Sequence, residues 1–518
     1  MKEICKQAFT CFSCAWNSIF LQTMQVGGGD LMSANKVKHP VTGKFEHNVH
    51  FLREELAVDK SFDLIDHEIV HGGKRMVLFL VDGFAKDQAL TQIQRELLRI
   101  KPEELEENAL DHLIKSQIPY VEISTSDDLD EVVDEVLSGP AALVVEGVQK
   151  VILLDTREYP VRGPEEPTTE QVIRGAKDGF VETLVMNAAL IRRRVRDRSL
   201  RVEYVKVGRR SKSDLAMIYL ADIADEAIIE KMRIGLGKID TDGLPMGDKT
   251  IEEFIFGHHY NPYPLVRYSE RPDVTATHLL EGHIVIIVDG SPSVMIAPTT
   301  FWHHLQHAEE YRQKPVVGAA LRGVRFLAVW ASIFLLPLWY LLATNETLIP
   351  ADLSFVGAED EGTIPLIYQF LIAEAGIEML RMAAIHTPQA LSTALGLVAA
   401  LLIGEVAIQV GLFSPEVVLY LAVAAVGTFA TPSYELSLAN RLIRVVLLIS
   451  TAFFNLGGYV IGLTLWLLLL IRIDVIGTPY MWPFIPFNAR ALRDVLFRAP
   501  MPLKNRRPAS IHPQDPDR

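Results

Sequence analysis

Cysteine is nearly missing from this sequence. Its three cysteines, Cys5, Cys11 and Cys14, all fall within the first fourteen of 518 residues. No disulfide framework can brace the rest, a usage that suits a reducing compartment. Cys11-x-x-Cys14 is half of a zinc site, with no second pair to complete it. Positive charge is short too, because the net charge is −14. Nucleic acid needs a basic footprint for its phosphates and is excluded as a partner class. Also missing are the GxxxxGK[ST] phosphate loop, a GxGxxG after a strand and the GxSxG elbow. Gly235-Leu236-Gly237-Lys238 resembles a phosphate loop only superficially, since a helical pattern precedes it. No catalytic set and no cofactor emerge, and the expectation is a protein that is not an enzyme.

What is present divides the chain in two. Residues 1–31 read as an over-extended start. Gly27-Gly28-Gly29-Asp30 resembles a translated ribosome-binding site just ahead of Met32, so translation is expected to begin there. Residues 32–159 predict a first α/β subdomain. Strands are expected at 76–81 and 120–123, helices at 87–99 and 128–137, and a hairpin from 143–145 and 150–154 around Glu146-Gly147. Ser124 to Asp128 can cap the second helix and Gly139 can stop it. Residues 160–177 form a proline-rich linker, in which regular structure is disfavoured. Residues 178–312 predict a second α/β subdomain. Its helices are expected at 178–193 and 225–236, its strands at 201–207 and 216–220, and its hairpin from 283–288 and 294–296.

Two clusters in this half stand out. The basic run Arg192, Arg193, Arg194 and Arg196, continued by Arg198 and Arg201, suits lipid headgroups or a subunit contact. The plainer reading is a solvated helix end. His303 and His307 share a helix face, as zinc ligands do, but no carboxylate completes a set. No metal site is assigned, and His258-His259 reads as packing.

Residues 313–476 predict an α-helical polytopic membrane domain. Apolar runs lie at 326–343, 391–413, 417–430 and 445–471, the last weakened at Asn455-Leu456-Gly457-Gly458. Segment 364–385 differs, because it carries Glu374, Glu378 and Arg381 and reads as an amphipathic or re-entrant helix. Arginines and lysine precede the first span and acids follow it, which places the N-terminal region in the cytoplasm. The basic tail 477–518 belongs on the same side. Both ends inside require an even number of crossings. Four spans plus the amphipathic helix satisfy this, although Arg441 and Arg444 then fall outside.

Charge in hydrocarbon costs roughly 2.5–3.5 kcal/mol on insertion scales, so polar residues there face protein or water. Glu374, Glu378 and Arg381 form one stripe, and Glu405 and Gln409 form a second, one turn apart. In a ring of subunits either stripe would line an ion pathway. The structural alternative pairs Glu378 with Arg381 and bonds Glu405 to a neighbouring helix. So few spans per chain make a homo-oligomer the natural way to build a conduit.

Long segments carry a resemblance. TREYPVRGPEEPTTEQVIRGAKDGFVETLVMNAALIRRR (156–194), ATPSYELSLANRLIR (430–444) and GTPYMWPFIPFNARALRDVLFRAP (477–500) resemble the GerA-type spore germination A-subunit family, over about 44–508. Residues 1–31 have no match in that pattern. The resemblance implies a multi-pass protein of the spore inner membrane that acts in germination. It implies an oligomeric channel for monovalent cations. Its partners would be other germination or dipicolinate-transport proteins, or a small membrane protein.

Overall fold

The computed structural model describes residues 39–85, 87–99, 122–157, 170–257, 260–345, 357, 363–386, 396, 405–500, 502 and 504–517. The expected start at Met32, the cysteines, most of the linker, His258-His259 and most of the run 391–413 lie outside these residues. From Val41 onward the chain forms one compact unit.

The first α/β subdomain runs α1 (Phe45–Leu56), β1 (Leu64–His71), β2 (Lys74–Val81), α2 (Asp87–Arg99), β3 (Ile123–Ser126), α3 (Leu129–Ser138), β4 (Ala141–Val145) and β5 (Val151–Leu154). Its sheet has the order β1-β2-β4-β5-β3, with every pair antiparallel. The central strands are apolar without interruption because both faces are covered. Val77, Phe79 and Val81 pack under α1 and α3, while Met76, Leu78 and Leu80 pack under α2. Asp128 caps α3 by accepting from the Asp130 N–H, and Gly139 at φ 122° releases the chain into β4. Strand β1 goes unsignalled by sequence pattern because it is a half-exposed edge.

The second subdomain repeats the plan. It contains α4 (Leu184–Arg192), β6 (Leu200–Val207), β7 (Ser213–Leu220), α5 (Glu226–Gly237), α6 (Asp248–Phe256), β8 (Arg267–Ser269), α7 (Pro272–Glu281), β9 (Ile284–Val288) and β10 (Val294–Ala297). The sheet order is β6-β7-β9-β10-β8, again all antiparallel. The correspondence reaches single hydrogen bonds. Asn48 accepts from the Thr42 N–H and donates to the Thr42 carbonyl. Asn187 does the same to Val181, also six residues upstream. Both asparagines are buried.

The C-terminal region begins with α8 (Ala308–Arg312), then α9 (Pro315–Thr344), α10 (Leu366–His386), α11 (Pro415–Phe429) and α12 (Tyr434–Arg472). Two of these, α9 and α12, are long and apolar enough to cross a membrane. Helices α9 and α11 run antiparallel, since Trp339 stacks near Tyr420 while Gly427 lies on the Ala328 carbonyl.

Two expectations are corrected here. The predicted last span is not a single rod. Asn455 has φ 49° and ψ −134°, outside the helical region. Ser450 Oγ donates to the Gly458 carbonyl, and Gly462 packs on Leu447 and Ser450. Arms 434–454 and 456–472 therefore fold against each other as a hairpin, turning at the Asn-Leu-Gly-Gly weak point. The second correction concerns α10, which is not amphipathic toward water. Its polar stripe turns inward, Leu366, Phe370 and Ala373 join the bundle core, and Tyr368, Ile372, Met379 and Met382 face outward.

After α12 the chain returns to the second subdomain. A short hairpin, β11 (Asp474–Val475) with β12 (Thr478–Pro479), precedes α13 (Ala489–Leu496). Tyr480 is buried among Tyr263, Phe301 and His304, and Ile511 is buried as well.

Candidate functional site

Helix α10 places Glu374 and Glu378 one turn apart, with Arg381 on the next. Helix α12 places Arg441 and Arg444 on one face at i, i+3. The bundle brings the two stripes together. A Glu374 carboxylate oxygen lies 2.7 Å from Arg444, and both side chains are buried. Arg444 also donates to the Ser332 carbonyl of α9 at 2.6 Å and to Thr428 Oγ1 of α11 at 3.3 Å. One guanidinium thus ties α12 to α9, α10 and α11. Glu378 sits between Arg381 and Arg441, in contact with both. Arg381 reaches on to the Tyr434 hydroxyl at 3.1 Å.

Charge asymmetry in the sequence puts Arg441 and Arg444 outside, and the bundle encloses them instead. Their signal is the complement of the acids: two carboxylates at i, i+4 in one apolar segment and two guanidiniums at i, i+3 at the start of another. Apposed in a low-dielectric bundle, such charges pair rather than solvate. The ladder holds three guanidiniums and two carboxylates, so it carries excess positive charge. Glu405 and Gln409 stand apart from it. They are hydrogen-bonded to each other at 3.2 Å and exposed, just before Gly411, whose carbonyl accepts from Thr363.

A second ionic node lies where α9 meets the α/β region. Glu310 of α8 is fully buried between Arg322 and Arg325. Arg322 also donates to the Asp494 and Val495 carbonyls at the end of α13. Arg498 donates to the carbonyls of Tyr311 and Gln313.

The basic run takes a different role from the one expected. Arg192 is 0% exposed and pairs with Asp63 at 2.9 Å, so it meets neither headgroup nor partner subunit. Arg198 binds Glu55, Asp130 and Asp134. These two arginines stitch the second subdomain to the first. Arg194 pairs with Asp178 within the second subdomain, while Arg193 and Arg196 are half-exposed and exposed.

Nor do the histidines share a helix face. His303 lies in a 3-10 turn and its Nδ1 accepts from the Thr300 N–H. His307 caps α8. Instead His278, His283 and His303 cluster, with ring centroids 4.9–5.8 Å apart. Burial, reinforced for His278 and His303 by the neighbouring His283, holds these pKa values below the usual imidazole range. Burial pushes His304 down to about 3. The string His67-Glu68-Ile69-Val70-His71 has the spacing of a zinc-peptidase helix but forms strand β1. Its histidines stand about 13 Å apart along the strand, too far to share an ion. Among the described residues no group of three or more His, Cys, Asp or Glu is arranged to hold a metal ion.

Comparison with known proteins gives a consistent picture. The family described as Bacillus/Clostridium GerA spore germination protein matches residues 51–510. Stage V sporulation protein AF of Bacillus subtilis is 49% identical over 468 residues, 90% of this chain and 95% of that protein. Spore germination protein KA of Bacillus subtilis is 30% identical over 464 residues, 89% of this chain and 81% of that one. The N-terminal domain of the A subunit of the Bacillus megaterium spore germinant receptor GerK3 aligns at 23% identity and TM-score 0.41, covering 51% of this chain and 99% of that chain. The chain belongs to the GerA spore germination protein family.

Proposed function

We propose that this chain is a non-enzymatic subunit of an oligomeric assembly in the spore inner membrane that conducts monovalent cations during germination. The family and its members named for sporulation and germination support the physiological setting. The outward surface of the bundle supports the membrane. Leu419, Val423 and Val426 of α11 and Phe453, Val460 and Leu465 of α12 are exposed, large apolar side chains on three helical rods that water would not tolerate. Both α12 arms and the tail return the chain to the α/β side, consistent with both termini on the core side of the membrane.

The observation that carries the conduction reading is the exposed pair Glu405–Gln409 beside exposed Val406 and Val410. A carboxylate on an apolar surface needs water or a partner. Neighbouring copies placing these residues around an aqueous path would supply both. Glu374, Glu378 and Arg381 serve in this reading as the clamp that holds the bundle, since their ladder is closed and its excess charge repels cations.

Reconstitution of the full chain in liposomes, with and without a small membrane partner, tests this by potassium efflux. Efflux abolished by Glu405→Ala in an intact oligomer is the expected result. An intact oligomer without efflux would favour the second reading, a non-conducting scaffold of the calcium–dipicolinic acid transport complex. The enclosed ladder, in which both Glu374 and Glu378 are taken up by arginines, favours that reading.

A further inference from the structure

The segment between the last membrane helix and the C-terminus contains a surface that neither the fold nor the proposed conduction explains. After Tyr480 turns into the core, residues 481–498 run across the base of α9. Phe484 stacks on Trp302 at 4.5 Å, which fixes one end of the segment on the α/β region. Arg322 donates to the carbonyls of Asp494 and Val495, and Arg498 to those of Tyr311 and Gln313, which fixes the other. Arg322 lies four residues, about 6 Å of helix rise, before the apolar run that opens at Phe326. The segment is therefore held at the level where α9 leaves the polar region.

Its outer side is apolar and aromatic. Phe487 is 70% exposed and Phe497 63%, and Ile485 and Leu496 are exposed beside them. Val316, Val324 and Leu327 on the adjoining turns of α9 are exposed as well. Arg490 and Arg493 of α13 project among these residues; Arg490 is exposed, and Arg493 is two-thirds exposed with Asp494 3.3 Å away, leaving the pair of arginines a net positive charge. Aromatic rings beside arginines at the edge of an apolar belt match the interfacial zone of a bilayer. There, rings sit at headgroup depth and guanidiniums meet lipid phosphates.

We propose that residues 481–498, with α13 at their centre, form an interfacial anchor that lies in the bilayer surface on the α/β side and binds anionic lipid headgroups. The argument for lipid is the level at which this face is held against α9, just before the apolar run begins, together with its exposed rings and the sign of its charges. The inference rests on the membrane reading above, so its test separates the two. By holding the base of α9 to both the second subdomain and the lipid surface, the anchor would make the position of α9 sensitive to lipid charge.

The test uses the full chain with Cys5, Cys11 and Cys14 changed to Ser and single cysteines carrying an environment-sensitive fluorophore. Phe497→Cys reports the anchor, Phe453→Cys the far end of the α12 hairpin, and Phe254→Cys the α/β surface. Each is reconstituted in phosphatidylcholine vesicles with or without phosphatidylglycerol, and nitroxide lipids quench it from shallow or deep positions. At 497 the expected signal is blue-shifted and quenched by shallow nitroxides more than by deep ones. At 453 the deep quencher should prevail, and at 254 neither should act. Arg490→Gln with Arg493→Gln should reduce the docked-to-undocked ratio at 497 about fivefold per arginine in anionic vesicles. An aqueous signal at 497 with deep quenching at 453 overturns the anchor and leaves the membrane reading standing. A shielded but unquenched signal at 497 means that protein covers the segment, which also overturns it. Loss of quenching at 453 defeats the membrane reading, and the anchor with it.

Discussion

The two α/β subdomains share one strand order but not one fate. In the first, both sheet faces close under its own helices. In the second, one face closes under α4 and α7. Its other face, with Met217, Ile286 and Met295, packs under α5. It also runs into a core with Val329 and Ile333 of α9, Leu436 and Leu470 of α12, and Tyr480 of the tail. The duplicated sheet is a platform, and the chain's distinctive chemistry sits where the second copy departs from the first. The histidine cluster, the Glu310 node and the tail all lie there. None has a counterpart in the described residues of the first subdomain. Shared topology therefore says little about role, and the contrasts between copies say more.

Changes that strike what joins the regions should have the largest effects. Glu374→Ala or Arg444→Ala leaves a buried charge unpaired in the bundle and should cost about 3–5 kcal/mol. The double change Glu374→Gln with Arg444→Met should recover most of that in thermal unfolding of detergent-solubilised protein. Arg192→Ala should be as damaging to the join between the subdomains, again by about 3–5 kcal/mol. If the Arg192 change were silent, the two subdomains would not be held as described.

The next test is specific to the second subdomain. His278, His283 and His303 are neutral when folded, because burial lowers their pKa values. The unfolded chain takes up protons near pH 6.5, so stability is level above that pH. Below it, each histidine should remove about 1.4 kcal/mol per pH unit until its folded pKa is reached. Unfolding midpoints from pH 7.5 to 5 should fall accordingly, and His278→Gln should reduce the slope by one proton.

Gly458→Leu tests the hairpin. A Cβ at that position would collide with the Ser450 carbonyl oxygen, so the arms must part. A loss of about 1–3 kcal/mol is expected, with no effect on the pH slope. The smallest effects should come from the repeated asparagines. Asn48→Ala and Asn187→Ala each remove the two-bond backbone tie, Asn48 also losing a bond from the Thr42 hydroxyl, and both should cost about 1–2 kcal/mol. Unequal losses would break the equivalence of the two copies.

Much of the α/β region is legible in the sequence because its signals are local. Helix 87–99 stands as expected. Asp128, Gly139 and the Glu146-Gly147 turn, where Gly147 has φ 82°, place α3 and the hairpin to within a residue or two. Strand β1 is not legible, because an edge strand lacks a continuous apolar run. Helix α4 starts six residues later than its pattern suggests, since 178–183 are bent back by the Asn187 tie to Val181. The candidate site is half legible. Glu374, Glu378 and Arg381 stand out as charges in an apolar segment, but their partners do not.

Sequence alone determined the division into a polar α/β half and an apolar helical half, the turns and caps, the weak point at Asn455 and the presence of charge inside apolar segments. These follow from properties of neighbouring residues. The tertiary structure alone decided that Arg192 faces Asp63, that Arg441 and Arg444 close the ladder with Glu378 and Glu374, and that a long apolar run folds back on itself. These are pairings between residues 63 to 129 positions apart, or a turn permitted by glycines packed against Ser450. A charged side chain in a sequence states a need for a partner, and only the folded chain specifies which one meets it.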